Sequence, residues 1–531
     1  MIRAAEGSTH RESVRLAPLV CERGKSERTS RCCAVRLFLA ALAIAFSTLP
    51  AKAQDVDLLR NIQRTNAKII AQAEPAVVAI ARVRKQGLQP AGQASGIPVF
   101  AEPVSPADPD FVPNDFGAGI IIRTENPEHP KLILTNYHVV RGGPVHGAAP
   151  ADTRIELWVT IANKPRFKTA IIAADPHSDL AVLTISDRRL GENPTALAPV
   201  TYKPRKGHFV FALGNPYAIA RDGSASANWG TVSNVLRMPA GTQPDYDNEF
   251  SLFENVHNFG TLMQVSMSLP LGSSGGALLN LDGNLIGITT SLTPLKGYEQ
   301  SAGYAVPFTK GFRRILTDLT SGYEVEYGFL GVRPANAGLD DFEGLPNDKR
   351  PSGGAVALSV TTNSPAFTGG LQPNDVVTKV DDIPIRNNMD LMREVALLGP
   401  NAKAKFRVWR PRDSAFVTKT VALGKWPVRD ESGIIATAQR TPDWRGIRVD
   451  YSTARARYLR GGGTVQFEDA VLIVSVDEKR HGLKVQPGDF IHQVGGTNVG
   501  TPEEFHKAVA LLAGQTVQLH TTDDRTLKIE P

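Results

Sequence analysis

Cysteine is almost missing from this chain. Of 531 residues only Cys21, Cys32 and Cys33 are cysteines. Downstream of them there is no thiol for a cysteine nucleophile, a thiolate metal site or a disulfide, so the chain must be stabilised by its own cores. Long apolar runs are scarce as well. The one extended run, Leu37 to Leu49, falls short of the roughly 20 residues that span a bilayer. Arg31 and Arg36 precede it and Ala51-Lys52-Ala53 follows it. This order of basic, apolar and small-x-small segments predicts a secretory signal peptide over residues 1–53, with an uncleaved anchor as the other reading of the same run. A basic excess is also lacking once that segment is set aside. The whole chain carries a net +6, but residues 1–53 hold nine Lys/Arg and four Asp/Glu, which leaves 50 basic against 49 acidic residues. Nothing in that balance implies a nucleic-acid partner. No metal-ligating cluster and no nucleotide-binding loop is visible, so no cofactor is expected.

What is present is ordinary globular composition, 42% apolar and 21% charged, in a length that suits about three domains. Residues 55–73 place Val56, Leu59, Ile62, Ile69 and Ile70 at helical spacing before Pro75. Residues 87–116 are rich in Pro, Gly, Ala and Asp and read as a long surface loop. From 117 to 310 short apolar runs follow one another between turn residues: "GAGIIIR", "KLILTN", "IELWVTI", "LAVLTI", "HFVFALG", "GALLN" and "NLIGITTS". Nearly 200 residues of this rhythm predict two packed β-barrels, with a helix over 309–319. The remainder holds an internal repeat. "GLQPNDVVTKVDD" (370–382) and "GLKVQPGDFIHQVGG" (482–496) each lead into a helical stretch and then a strand, which predicts a duplicated small α+β domain.

The chemistry centres on "LGSSGGALLN" (271–280). A serine hydroxyl is a weak nucleophile until a base takes its proton and a carboxylate orients the base. Among the histidines of the β-rich region His138 alone follows directly on a strand, in "LILTNYHVVRGG". The acid candidate is Asp179 in "DPHSDLAVL", although Asp175 would suit a turn role equally well. Ser274 lies among Gly272, Gly275 and Gly276, which let the backbone turn sharply. The N–H groups of Gly272 and Ser274 would then form an oxyanion hole. Taken singly, each of the three is also readable as a structural residue. Their order is what singles them out: His138, then Asp179, then Ser274 is the chymotrypsin-like order of a triad. The stretch "SLPL" (268–271) has no acidic residue, so the substrate pocket assigned to Ser268, Leu269 and Thr290 is expected to take small or medium aliphatic P1 residues.

"ILTNYHVV", "SDLAVL" and "GSSGGALLNLDGNLIGI" resemble the three triad blocks of the Deg/HtrA serine proteases. "ALGNPYAIARDGSASANWGTVSNV" and "GYAVP" (303–307) resemble the family segments around the nucleophile loop. The repeated region resembles two PDZ domains. The resemblance implies a mainly β chain: a chymotrypsin-like double-barrel protease domain followed by two small PDZ-like α+β domains. The expected boundaries are a signal peptide at 1–53, a helix at 54–74, the protease domain at 75–322, PDZ 1 at 326–425, a linker at 426–443 and PDZ-like domain 2 at 444–531. It also implies an exported, periplasmic endopeptidase acting on unfolded protein or peptide substrates, assembled as a homotrimer or a multiple of it, with no stable membrane insertion. In "YGFLGV" it assigns Gly328, Phe329, Leu330 and Gly331 to a loop that grips a peptide carboxylate. The corresponding "WRGIRV" (444–449) departs from that pattern. At the nucleophile, Ser273 replaces the family's usual Asn. These departures keep open a second reading, a chaperone or peptide-binding scaffold with a resting or inactive site.

Overall fold

The central strands of the protease region are apolar on both faces. The structure, a computed structural model, shows why. It describes residues 51–84, 113, 115–147, 155–185, 194–215, 222–239, 255–290, 303–428, 431–457, 468–481 and 485–531. Most of the expected signal peptide and of the 87–116 loop lies outside these residues. Among the described residues thirteen strands build the protease region: β1 (Val77–Arg84), β2 (Asp115–Arg123), β3 (Lys131–Asn136), β4 (Ile155–Ile161), β5 (Phe167–Thr169), β6 (Ile171–Asp175), β7 (Leu180–Leu183), β8 (Phe209–Gly214), β9 (Ser226–Arg237), β10 (Leu262–Val265), β11 (Ala277–Leu279), β12 (Leu285–Thr290) and β13 (Gly303–Pro307). The first seven run β6-β7-β3-β2-β1-β4-β5 across one sheet. Its end strands β5 and β6 are separated by a single residue, so the sheet must curl upon itself. Strands β10-β13-β12-β11-β8-β9 form a closed barrel.

Side chains alternate across a strand, and here each face has its own apolar neighbour. Ile121, Ile133, Ala181 and Leu183 fill the first barrel. Their sequence neighbours Ile120, Ile122, Leu132, Leu134, Leu180 and Val182 join a second core with Phe211, Leu213, Leu279 and Ile288 of the other barrel. Leu278 and Ile286 fill the second barrel with Val210 and Met263. The core between the barrels continues into the helix Lys310–Thr320 through Phe312, Ile315 and Leu319, and into Ala396 and Leu397 of the helix Asn388–Leu398.

After the barrels come two sheets of the same design. In the first, β15 (Val332–Asn336), β16 (Ala355–Val360), β17 (Val376–Val380), β19 (Lys403–Arg410) and β20 (Ala415–Ala422) lie in that order, with β18 (Ile383–Pro384) on β17. In the second, β23 (Ile447–Tyr451), β24 (Val471–Val476), β25 (Phe490–Val494), β27 (Val517–Thr521) and β28 (Thr526–Ile529) repeat the order, with β26 (Thr497–Asn498) on β25. Asn387 caps the first domain's helix by accepting from Asp390 N–H. Thr501 and Glu504 form a reciprocal capping box on the helix Pro502–Leu511. Two short pairings remain, one within the first PDZ-type domain and one that ties the chain after it to the first barrel. β14 (Gly328–Phe329) pairs with β21 (Gly424–Lys425), and β22 (Ile435–Ala436), within the stretch expected as a linker, pairs with β6 of the first barrel. The compact unit carrying all these elements spans Asn66–Pro531. Among the described residues no helix is long and apolar enough to cross a membrane.

Candidate active site

His138 sits in a single helical turn, Tyr137–Val140, that follows directly on β3. Its ring faces Asp179, with Nδ1 at 2.9 Å from Oδ1 and 2.8 Å from Oδ2. A carboxylate only accepts hydrogen bonds, so Nδ1–H donates and the lone pair is left on Nε2. The His138 backbone N–H also donates to Asp179 Oδ1 at 3.0 Å. The acid is held in turn from several sides. Tyr137 N–H and Asn136 Nδ2 each donate to the Asp179 carbonyl at 3.0 Å, and Thr290 Oγ1 is 3.5 Å from Oδ2. Asp179 takes φ +53°, a left-handed conformation that aspartate tolerates better than most residues, and so turns its carboxylate back toward β3. Burial of the His138 ring favours the neutral form. The charge and hydrogen bond of Asp179 outweigh that burial and the opposing Arg82 guanidinium, so the imidazole titrates above its ordinary 6.5. The ring side chain stays 44% exposed, open to an incoming group.

Asp175, the rival acid, is spent elsewhere. It accepts from Ser178 Oγ at 2.5 Å, from Ser178 N–H at 3.0 Å and from the buried Tyr327 hydroxyl. It caps its own turn and anchors the segment that leads into the first PDZ-type sheet.

Ser274 is buried on the other barrel's side of the same strand β2. Ala118 N–H donates to its carbonyl at 2.8 Å. A Cβ added to Gly117 would lie 2.7 Å from the Val139 methyls and 3.2 Å from the Ser274 carbonyl oxygen. The His138 turn and the Ser274 loop therefore converge on Gly117. The loop is pinned from the second barrel too. Gly275 N–H donates to Thr289 O at 2.9 Å, Gly276 N–H to Ser273 O at 3.0 Å, and Thr289 Oγ1 to Ser273 O at 2.6 Å. Gly272 has φ +93°, and a side chain there would meet Asn215 O at 2.5 Å and the Phe116 ring at 2.7 Å. Only glycine fits that turn.

Beside the loop lies a cavity of about 170 Å³, lined by Ser268, Leu269, Pro270 and Ser273 of the loop, by Ala212 and Gly214 of β8, and by Ala227, Asn228 and Thr289. None of its lining residues is acidic. Thr290, expected in this wall, points instead toward Asp179, and its neighbour Thr289 lines the cavity. The period of two in a strand makes the exchange inevitable, because adjacent residues of β12 face opposite ways. Asn136, Thr289 and Arg82 escaped the reading of the sequence. Only their position at strand ends beside the triad blocks would have pointed to them.

In the first PDZ-type domain Gly328 and Phe329 pair with Lys425 and Gly424. Leu330 O accepts from Ala366 N–H at 2.8 Å, and Gly331 has φ +85° with its carbonyl bound by Thr361 N–H at 2.9 Å. The corresponding turn of the second domain is closed on itself. Trp444 and Ile447 exchange both backbone hydrogen bonds at 2.9 Å, with Arg445 at φ +52° and Gly446 at φ +78° between them.

Residues 117–288 match the trypsin-like peptidase domain family model and residues 328–423 the PDZ domain model. The chain is 24% identical over 514 residues to a probable periplasmic serine endoprotease DegP-like of Chlamydia muridarum, covering 92% of each protein. It is 28% identical over 402 residues to a protein of the same description in Pseudomonas fulva, covering 73% of this chain and 72% of that one. Among solved structures, an HtrA-type protease AlgW with tripeptide aligns with a TM-score of 0.47 at 23% identity, over 68% of this chain and 97% of that one. With its trypsin-like peptidase domain, its PDZ domain and its DegP-like relatives along most of their length, the chain is a trypsin-like serine endopeptidase with a PDZ domain, similar to the DegP-like endoproteases.

Proposed function

We propose that the chain degrades misfolded or unfolded exported proteins in the bacterial cell envelope by the triad Ser274, His138 and Asp179. The Ser274 hydroxyl adds to a peptide carbonyl while His138 Nε2 takes its proton. The new C–O bond places negative charge on the carbonyl oxygen, which the N–H groups of Gly272 and Ser274 receive. The imidazolium then gives its proton to the leaving amine as the C–N bond breaks. Water repeats the sequence on the acyl-enzyme and frees Ser274. Asp179 keeps the proton on Nδ1 and stabilises the imidazolium. The observation that carries this reading is the pair of 2.8 Å and 2.9 Å contacts between His138 Nδ1 and the Asp179 oxygens, which leaves Nε2 free to act as the base.

The lining of the cavity beside Ser268 and Leu269, with no carboxylate, supports cleavage after small or medium aliphatic residues. The periplasmic description of the relatives supports an exported enzyme. The loop Gly328–Gly331 of the first PDZ domain is the proposed seat of a peptide carboxylate, with the peptide adding a strand beside β15. The closed Trp444–Ile447 turn gives the second domain no such loop. Working assembly is proposed as a homotrimer.

The test compares casein cleavage by the mature chain and by Ser274→Ala, with a serine-directed phosphonate as label. The expected result is cleavage and labelling by the parent and neither by the variant. A parent that neither cleaves nor labels, yet suppresses aggregation of an unfolded client, refutes the proteolytic reading in favour of a chaperone.

A further inference from the structure

The segment Glu431–Arg440 lies between the two PDZ-type sheets, and no step above uses it. It runs as a strap along the first barrel. Ile435 and Ala436 pair with Ala174 and Ala173 of β6, and Ile435 packs on the core of that barrel. Thr437 Oγ1 donates to Ile172 O at 2.9 Å, and Ala438 N–H donates to Gly322 O at 2.9 Å. Arg440 ties down the far end, with ion pairs at 2.8 Å to Asp318 and 3.5 Å to Glu326 and its guanidinium 5.1 Å from the Tyr323 ring centre. At the near end Gly433, at φ +88°, lies against Tyr137. A Cβ there would be 2.7 Å from Tyr137 Cζ and would overlap its hydroxyl oxygen outright.

Both ends of the base–acid pair hang on what the strap touches. β6 runs straight into the turn that carries Asp179. Tyr137 immediately precedes His138, and its N–H donates to the Asp179 carbonyl. Without the strap, β6 would be an exposed sheet edge on that side. We propose that the strap Glu431–Arg440 is a positioning element of the active site, which seats the His138 and Asp179 segments against each other and makes their alignment depend on the chain that leads into the second PDZ-type domain. The proposal rests on the triad reading above. The strap's paired seat is short beside a full strand, two residues on β6, with Thr437, Ala438 and Arg440 bonded beyond it. Short elements laid on a sheet edge open at lower free energy than the cores they lie on, so the strap is the natural place for the C-terminal domain to influence catalysis.

The experiment uses the full mature chain and labelled casein, with kcat and KM measured separately. Gly433→Ala is expected to lower kcat by about tenfold to a hundredfold while KM stays within about twofold, as small misplacements of catalytic groups do. The same substitution is then made in a Tyr137→Phe background. A loss transmitted through the Tyr137 contact shrinks there, because the overlapping oxygen is gone. A loss caused only by strain at φ +88° has the same size in both backgrounds and overturns the proposal. A Gly433→Ala enzyme with kcat within about twofold of the parent also overturns it. If Gly433→Ala does not fold, Arg440→Gln, which frees the far end without a clash, decides the matter: lower kcat at constant KM supports the strap and unchanged kcat overturns it. A parent chain without cleavage overturns the triad reading and the strap with it. An active parent with insensitive variants overturns the strap alone.

Discussion

Asp179→Asn probes the site more sharply than removal of the nucleophile, because the structure dictates which way the amide must point. The His138 backbone N–H donates to Asp179 Oδ1 at 3.0 Å. An asparagine keeps that bond only by leaving its oxygen there, which places its NH₂ where Oδ2 stood, 2.8 Å from Nδ1. A donor now faces Nδ1. At the shorter of the two contacts this favours a ring that accepts at Nδ1 and carries its proton on Nε2, the nitrogen that has to take the proton from Ser274, against the tautomer that still donates to the remaining oxygen at 2.9 Å. For a triad acid held in this way the loss in kcat is about 10⁴-fold, or roughly 5 kcal/mol of transition-state stabilisation. A second signature concerns pH. The base must be neutral to act, so activity of the parent rises with pH through a midpoint above 6.5, because Asp179 lifts the imidazole against burial and Arg82. With the carboxylate gone, burial and Arg82 remain and both lower the midpoint, which moves below 6.5. Casein cleavage by the two proteins between about pH 5 and 9 gives both readouts, with KM as the internal control. A variant within about tenfold of the parent, or with its midpoint unmoved, refutes the assignment of Asp179 as the orienting acid.

Two further predictions concern stability. Lys425 is buried, with its ammonium 3.0–3.2 Å from Glu324, Glu326 and Asp450. Lys425→Met leaves three carboxylates facing one another and should cost about 3–5 kcal/mol in chemical denaturation, with partial recovery in Lys425→Met/Glu326→Gln; equal stability of parent and Lys425→Met contradicts this. His257 is fully buried between Thr261 and the Ser178 carbonyl, and burial holds its imidazole below 6.5 despite the pull of Asp179 and Asp175. Its unfolded form binds a proton first as pH drops, so the stability it confers is complete above 6.5 and is lost as pH falls from there through its lower folded value. Thermal unfolding of the parent should therefore weaken from pH 7.5 to 5.5 more steeply than that of His257→Gln, and parallel slopes for the two proteins contradict it.

His138 was legible in the sequence as a candidate because it follows a strand of unmistakable pattern, and Ser274 because only a sharp turn needs glycines at 272, 275 and 276. Asp179 was not separable from Asp175 by any local signal. What distinguishes them is a left-handed backbone at 179 and a partner for Asp175, Tyr327, that lies 152 residues away. The strongest strands were legible as strands but not as layers, since Ile120 to Ile122 are buried on both faces in different cores. β9 was hidden for the opposite reason: its buried and exposed positions follow no apolar alternation. β22 has two residues and no pattern at all, and only a tertiary neighbour makes it a strand. The same limit displaced Thr290 by one position, because an unseen register decides which of two adjacent threonines faces the cavity.

Ser273 departs from the Deg/HtrA motif that the sequence resembles, and the structure indicates why that departure need not silence the site. The loop is not held through the side chain at 273. It is held through the carbonyl of that residue, which accepts from Thr289 Oγ1 and Gly276 N–H, and through the next two residues, of which Ser274 O is bound by β2 of the first barrel and Gly275 N–H by β12 of the second. Each barrel thus grips one side of the loop, and the apolar core between them, from Ile120 and Leu134 to Leu213 and Ile288, sets the distance between those grips. A substitution at 273 that leaves its carbonyl in place leaves all four bonds intact. Displacing Ser274 itself would require the loop to give up bonds to both barrels at once, at about 0.5–1.5 kcal/mol for each bond and more where the groups stay buried unpaired. The bonding of the backbone, more than the identity of residue 273, therefore favours an assembled protease over a scaffold that has lost its chemistry.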